Sequence, residues 1–268
     1  MSKKIGFIGC GVMGKSIMGG IIGSGIAPAS DITASDVYLP GLEAAQKEMG
    51  IRITTDNKEV VRNSDVIFLV VKPYVLKEAI DSFCDCITPD KVFISIAAGQ
   101  TLEILKGYFG EGVKTIRVMP NTPAQVTAGM TGVCHNELVT EEDIDYAMKL
   151  LNAFGKAEQV PENLLDAVTG ISGSGPAYVF MFIEALADGG VLEGLPRAQA
   201  YTFAAQTVFG SAKMVLDTGK HPGVLKDAVC SPAGTTIAAV SALEENNFRN
   251  AVIQAVHACA ERSREMGK

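Results

Sequence analysis

Six residues set the frame for the whole chain: Gly9-Cys10-Gly11-Val12-Met13-Gly14. They follow the apolar run Ile5-Gly6-Phe7-Ile8 and open a segment of helical pattern. That context turns a Gly-x-Gly-x-x-Gly spacing from a weak signal into a strong one. Gly9 then makes a tight turn, Gly11 lets the backbone approach a pyrophosphate, and Gly14 lets helix and strand pack closely. Val12 and Met13 complete the loop, Met13 packing beneath it. The helix that starts here offers unpaired N–H groups and a positive dipole end to phosphate. The counter-reading is a glycine-rich structural turn.

The rest of the first half fits that frame. Short apolar runs at 5–8, 31–35, 66–71, 92–96 and 115–118 alternate with helical patterns, which predicts parallel βαβ units in a doubly wound sheet. Several runs are continuous rather than alternating, as strands buried on both faces are. Beyond about residue 162 the character changes. Segments 177–192, 197–216, 223–229, 234–244 and 247–266 are Ala-rich and helical, with no strand pattern among them. Breaks are signed by Gly194 with Pro196, by 219–222, and by Ser231 with Pro232. The expectation is an α/β chain with a Rossmann-like dinucleotide-binding domain at 1–162, followed by an all-α domain at 163–268. So many small apolar side chains in a domain of that size exceed what one small core hides, which predicts packing against a second copy.

A formal net charge of −7 with scattered Lys and Arg leaves no basic stripe for a phosphate backbone, so nucleic acid is excluded as a partner. The six cysteines stand without a Cys-x-x-Cys pair, and there are three His; neither a metal site nor a disulfide framework is indicated. These are thiols of a reducing cytosol, and a cytoplasmic location is expected. No apolar stretch reads as reaching the roughly 18 residues of a membrane span.

The end of the second strand reads Ala34-Ser35-Asp36-Val37-Tyr38. An acidic side chain there accepts from a ribose 2′-hydroxyl and repels a 2′-phosphate. No Arg or Lys follows until Lys47. This leans toward NADH, while Asp36 as a plain turn residue and Ser35 as a phosphate donor stand as alternatives. Lys72-Pro73 follows another strand at the same edge; Lys72 either faces the cofactor or is a solvated strand-end charge. Ala97-Ala98-Gly99 closes the next strand with side chains small enough to leave room for a nicotinamide ring.

Three further segments carry a resemblance. They are Arg117-Val118-Met119-Pro120-Asn121-Thr122-Pro123-Ala124; Thr169-Gly170-Ile171-Ser172-Gly173-Ser174-Gly175-Pro176-Ala177-Tyr178, followed by Ala187-Asp188-Gly189-Gly190-Val191 and Gly194-Leu195-Pro196-Arg197; and His221-Pro222-Gly223 leading to Ser231-Pro232-Ala233-Gly234-Thr235-Thr236. In this order and over essentially the whole chain the sequence resembles the pyrroline-5-carboxylate reductases. The resemblance implies a helical domain that dimerises, as a homodimer or a higher homo-oligomer, and reduction of 1-pyrroline-5-carboxylate to L-proline with NADP(H) or NAD(H). By matching position it implies that Ser35, Asn57, Val71, Lys72, Pro73, Ala97 and Ala98 join the glycine loop around the cofactor. It also implies that Ser231, Thr235 and Thr236 hold the substrate, with Glu162 a weaker candidate and Thr236 the catalytic hydroxyl. Hydroxyls and N–H groups ahead of a helix can fix a carboxylate without a cationic side chain; the plain reading of the same residues is a helix N-cap and turn. Ala233 departs from the family's usual Gly, and Ala228 and Gly219 stand where some members carry polar side chains.

Two rivals remain. A β-hydroxyacid dehydrogenase joins similar domains but needs a basic residue one turn beyond the junction motif, where this chain has Tyr178, Val179, Phe180, Met181 and Phe182. A nucleotide-sensing module would share the glycine loop without catalysis, but has no need of the hydroxyl loop at 231–236.

Overall fold

The computed structural model describes residues 3–267. Two compact units form: residues 3–174 with 258–267, and residues 175–257.

The first unit is built on an eight-stranded sheet ordered β3-β2-β1-β4-β5-β6-β7-β8. Its strands are β1 (Ile5–Ile8), β2 (Ile32–Ser35), β3 (Arg52–Thr54), β4 (Val66–Leu69), β5 (Val92–Ser95), β6 (Lys114–Met119), β7 (Gly129–His135) and β8 (Gly155–Gln159). The helices between them are α1 (Val12–Gly23), α2 (Leu39–Met49), α3 (Asn57–Arg62), α4 (Leu76–Asp81), α5 (Leu102–Phe109) and α6 (Glu141–Asn152), and α7 (Leu165–Val168) follows the sheet. The continuous apolar runs are explained by two cores, one on each face. Phe7, Phe68, Ile94 and Ile116 point into one, with Ile17, Met18 and Ile21 of α1. Ile8, Ile67, Leu69 and Phe93 point into the other, with Val60 and Val61 of α3. Rings bind neighbouring strands: Phe7 stacks on Phe68 with centroids 4.8 Å apart.

The sheet departs from the expected all-parallel form at one pair. β6 and β7 run antiparallel, because only residues 120–128 join them and a parallel return needs a crossover of a dozen residues or more. β3, β7 and β8 carry no clear strand pattern in the sequence. β3 is a three-residue edge strand, and β8 is an edge strand whose Lys156, Glu158 and Gln159 are exposed.

The start of α6 is a capping box, in which Thr140 Oγ1 accepts from Asp143 N–H and Asp143 accepts from Thr140 N–H. The same carboxylate takes Lys114 Nζ at 2.7 Å and is 8% exposed. Burial alone would push the Asp143 carboxyl up, but hydrogen bonds from Lys114 and Thr140 and the Lys114 charge outweigh it and hold it at about 2. A carboxyl depressed on folding contributes stability above its unfolded pKa and loses it as pH falls through the folded one. Asp143→Asn is therefore expected to cost on the order of 2 kcal/mol at pH 7 in urea denaturation. The difference from wild type should shrink as pH falls from about 4 toward 2, and a difference that does not change with pH would contradict this pairing.

The second unit is helical: α8 (Gly175–Leu192), α9 (Arg197–Thr218), α10 (Pro222–Val229), α11 (Thr235–Glu245) and the first part of α12 (Phe248–Met266). α8 and α9 pack through Ala187, Ala200 and Ala204 with Ile183 and Val191; small side chains let the two helices approach closely. Much apolar surface stays uncovered within the chain, including Phe180, Phe203, Phe209 and Leu216, each more than half exposed. The expectation that no stretch has the length and hydropathy of a membrane span is corrected. The helical turns and α8 from Glu162 to Leu192 together have the length and apolar composition of a membrane-crossing segment, and little of that stretch is buried. Its Gly, Ser and Thr residues interrupt the apolar pattern yet scarcely lower the mean hydropathy.

Candidate active site

The chain order reverses between the neighbouring strands β1 and β4, so a crevice opens at their carboxyl ends, where ligands of open α/β sheets bind. The glycine loop forms one side of it. Gly9 sits at φ +104, and a Cβ there would lie 2.3 Å from the Val70 carbonyl oxygen. A Cβ on Gly14 would lie 2.7 Å from the Gly9 carbonyl oxygen, so the first and third glycines let α1 close onto the turn. Gly11 differs: a Cβ there would meet nothing within 4 Å. It is the N-cap of α1, with no side chain capping the helix, so the first N–H groups are left for a ligand. This fits a nucleotide pyrophosphate. Val12 is 68% exposed, and Met13 packs against the core beneath the loop.

Asp36 closes the loop from the second strand. Its Oδ2 accepts from Cys10 N–H at 2.7 Å and its Oδ1 from Tyr38 N–H at 3.0 Å, so the turn reading of this residue holds together with any ligand role. Burial pushes the Cys10 thiol up, the Lys15 charge opposes this, and the Asp36 charge adds to it; Cys10 is a protonated, buried side chain. Ser35 Oγ donates to Asn57 Oδ1 at 2.6 Å, and Asn57 Nδ2 donates to Ser82 Oγ at 3.0 Å. Gly9, Ser35, Asp36, Asn57 and Val71 all line one cavity of about 340 Å³, to which Glu78 also contributes. Glu78 and Ser82 come from and just after α4, a helix that offered no sequence signal for a site.

Lys72 and Pro73 follow β4, with Lys72 exposed and its carbonyl accepting from Val75 N–H. Ala97 and Ala98 follow β5; Ala97 is buried, and Ala98 packs on a cluster of Met119, Cys134 and Leu165. Burial pushes the Cys134 thiol up to about 12, helped by the Glu162 charge and opposed by Arg117. Glu162 Oε1 accepts from Leu102 N–H at 2.7 Å and from the buried Arg117 at 3.0 Å. Much of its carboxylate thus ties the start of α5 to the end of the sheet.

In the helical unit the residues of 231–236 do not form the side-chain cap that was their plain reading. Gly234 is the N-cap of α11, and no side chain caps it. Thr235 and Thr236 are the first two residues of the helix, and among the described residues the hydroxyls of Ser231, Thr235 and Thr236 have no hydrogen-bond partner. Ala233 takes φ +54, the left-handed region where the family's usual Gly carries no penalty. No cluster of metal-ligating side chains occurs among the described residues.

Residues 162–266 match the family profile described as pyrroline-5-carboxylate reductase dimerisation, and residues 4–99 that of NADP oxidoreductase, coenzyme F420-dependent. A pyrroline-5-carboxylate reductase of Escherichia coli is 51% identical over 271 residues, covering 100% of both chains. The chain belongs to the pyrroline-5-carboxylate reductase family. The solved reductase of Coxiella burnetii superposes with a TM-score of 0.94 at 34% identity, covering 100% of both chains. That of Plasmodium falciparum, solved with NADP bound, gives 0.90 at 33% identity and covers 99% of this chain and 98% of that one. Within the reductase, the apolar run Glu162–Leu192 falls in the dimerisation segment, which accounts for apolar surface that a single chain leaves open.

Proposed function

We propose that the glycine loop of this reductase holds the nicotinamide nucleotide and that residues 231–236 hold the substrate. The reaction is reduction of 1-pyrroline-5-carboxylate to L-proline with NADH or NADPH, the last step of proline biosynthesis. The observation that carries the site assignment is a set of unfilled donors: the open approach at Gly11 to the start of α1, and the unpartnered hydroxyls and free N–H groups at the start of α11. Ser35, Asp36 and Asn57 lie toward the adenosine ribose. Val71, Lys72, Pro73, Ala97 and Ala98 would lie toward the nicotinamide end of the bound nucleotide.

When bound, the nucleotide supplies the hydride. Ser231, Thr235 and the first N–H groups of α11 hold the substrate carboxylate, and Thr236 accepts a hydrogen bond from the ring N–H. Hydride attack on the imine carbon moves the C=N π pair onto a nitrogen that already carries its proton, so the chain needs no strong acid. Its task is to fix the imine against the nicotinamide in near-attack geometry. Glu162 leaves Oε2 for a ligand, while Oε1 braces the start of α5.

Copies of the chain associate through the helical segment, which covers its exposed apolar side chains. The six free cysteines fit a cytoplasmic setting. Titrating L-proline into the nucleotide-loaded protein tests the substrate loop: saturable binding, weakened by Ser231→Ala, is expected. Nucleotide binding with no L-proline binding would favour the sensor reading.

Asp36 and Glu78 both line the cavity, and a ribose bound there would meet two carboxylates that favour NADH over NADPH by repelling a 2′-phosphate. Asp36→Ser is expected to shift the ratio of kcat/KM values toward NADPH by about tenfold, one charge at close range being worth on the order of 1 kcal/mol or more. NADH affinity should also fall, since Cys10 N–H loses its acceptor. A ratio unchanged by the substitution would remove Asp36 from the ribose site.

A further inference from the structure

The end of β6 carries a side chain that neither the glycine loop nor the substrate loop uses. Asn121 is 8% exposed, and both ends of its amide are engaged. Nδ2 donates to the Ser172 carbonyl at 2.9 Å, and Oδ1 accepts from Met130 N–H at 2.8 Å. Ser172 lies in a π-turn, Thr169–Gly173, where Ser174 N–H reaches back five residues to the Thr169 carbonyl at 2.9 Å. In an α-helix the Ser172 carbonyl would take its hydrogen bond from the residue four positions on. That residue is Pro176, which has no N–H to give. The Asn121 amide supplies the donor that the chain cannot.

Apolar contacts carry the same tie further. A Cβ on Gly173 would lie 3.6 Å from Met119 Sδ. Met119 forms a buried cluster with Cys134 and Leu165, on which Val168, the residue before the π-turn, and Ala98 both pack. The π-turn, the end of β6 and Ala98 are therefore linked through one packed cluster. π-turns inside helices are frequent at functional sites, and this one sits against the edge assigned to the nicotinamide.

We propose that Asn121 is a positioning residue for hydride transfer: it locks the π-turn to the end of β6 and, through Met119 and Val168, sets the Ala98 wall of the nicotinamide site. The proposal rests on the placement of the ring beside Ala97 and Ala98. Asn121→Asp is the discriminating variant, because it keeps size and an acceptor for Met130 N–H while replacing the donor to Ser172 with an oxygen.

Turnover, the NADH dissociation constant by fluorescence titration, the melting temperature, and the primary isotope effect with NADH deuterated on the transferred side are to be measured together. Expected is a fall in kcat of about tenfold or more from misalignment alone, with NADH affinity within about twofold of wild type and a larger isotope effect as hydride transfer becomes the slow step. Asn121→Gln, one methylene longer, should not restore kcat. Wild-type kcat in Asn121→Asp, or a fall in kcat that tracks a lower melting temperature with the isotope effect unchanged, would overturn the proposal. Ala98→Leu, run alongside, reads the ring placement itself. Unchanged NADH binding and turnover there would remove that placement, and the proposal with it, whatever Asn121 does.

Discussion

Gly9→Ala is expected to cost on the order of 3 to 5 kcal/mol of folding stability, whereas Gly11→Ala should leave stability unchanged and lose the nucleotide. At position 9 two penalties add. The backbone sits at φ +104, and the new Cβ would be 2.3 Å from the Val70 carbonyl oxygen and 2.8 Å from its carbon. Both atoms belong to the backbone leaving β4, which is held by the bond from Val70 N–H to the Ile8 carbonyl, so the neighbour has no room to give. For a protein whose whole stability is about 5 to 15 kcal/mol, such a loss leaves little folded protein at physiological temperature. At position 11 the backbone is extended, at φ −74 and ψ −169, and nothing lies within 4 Å of the added methyl. That methyl would occupy the approach of a pyrophosphate, and NADH affinity should fall by about tenfold to a hundredfold. Urea denaturation and fluorescence titration separate the two effects. Wild-type NADH affinity in Gly11→Ala would mean that the pyrophosphate does not lie over this residue.

Thr236→Ala is expected to lower kcat by about tenfold to a hundredfold with NAD(P)H binding unchanged, since one hydrogen bond to a charged group is worth roughly 1.5 to 3 kcal/mol. The Thr236 hydroxyl is half-buried at the second position of α11 and has no protein partner among the described residues. Its removal therefore breaks no contact that holds the fold. In the proposed mechanism its partner is the protonated ring nitrogen, whose charge is discharged during hydride transfer, so the bond orients the imine as the reaction begins. Thr236→Ser keeps the hydroxyl and should retain most of the turnover. Steady-state kinetics with both variants check this, and unchanged kcat in Thr236→Ala would remove the residue from the mechanism.

What the sequence revealed follows from how local each signal is. β1, β4 and β5 were legible because burial on both faces leaves an unbroken apolar run, and the glycine loop because its three tasks lie within six residues. β7 was hidden because its run is broken at Gly132, where a Cβ would stand 2.8 Å from Val168 Cγ1, a contact made far along the chain. β8 was hidden because an exposed edge strand needs no apolar pattern. The ties of the site behave alike. Asp36 is adjacent to a readable strand end, so its importance was visible, but its bond to Cys10 N–H spans 26 positions. Asn121 meets Ser172 across 51 positions, and no spacing rule reaches that far. The hydroxyls of 231–236 were visible as residue types, yet only the structure shows that they do not cap α11.

The reductase site as a whole is tested by following nicotinamide absorbance with 1-pyrroline-5-carboxylate as substrate, NADH and NADPH run side by side at matched concentrations. Oxidation of both is expected, with the faster rate for NADH. Binding of both nucleotides with oxidation of neither would contradict the proposed reduction and the substrate role given to residues 231–236.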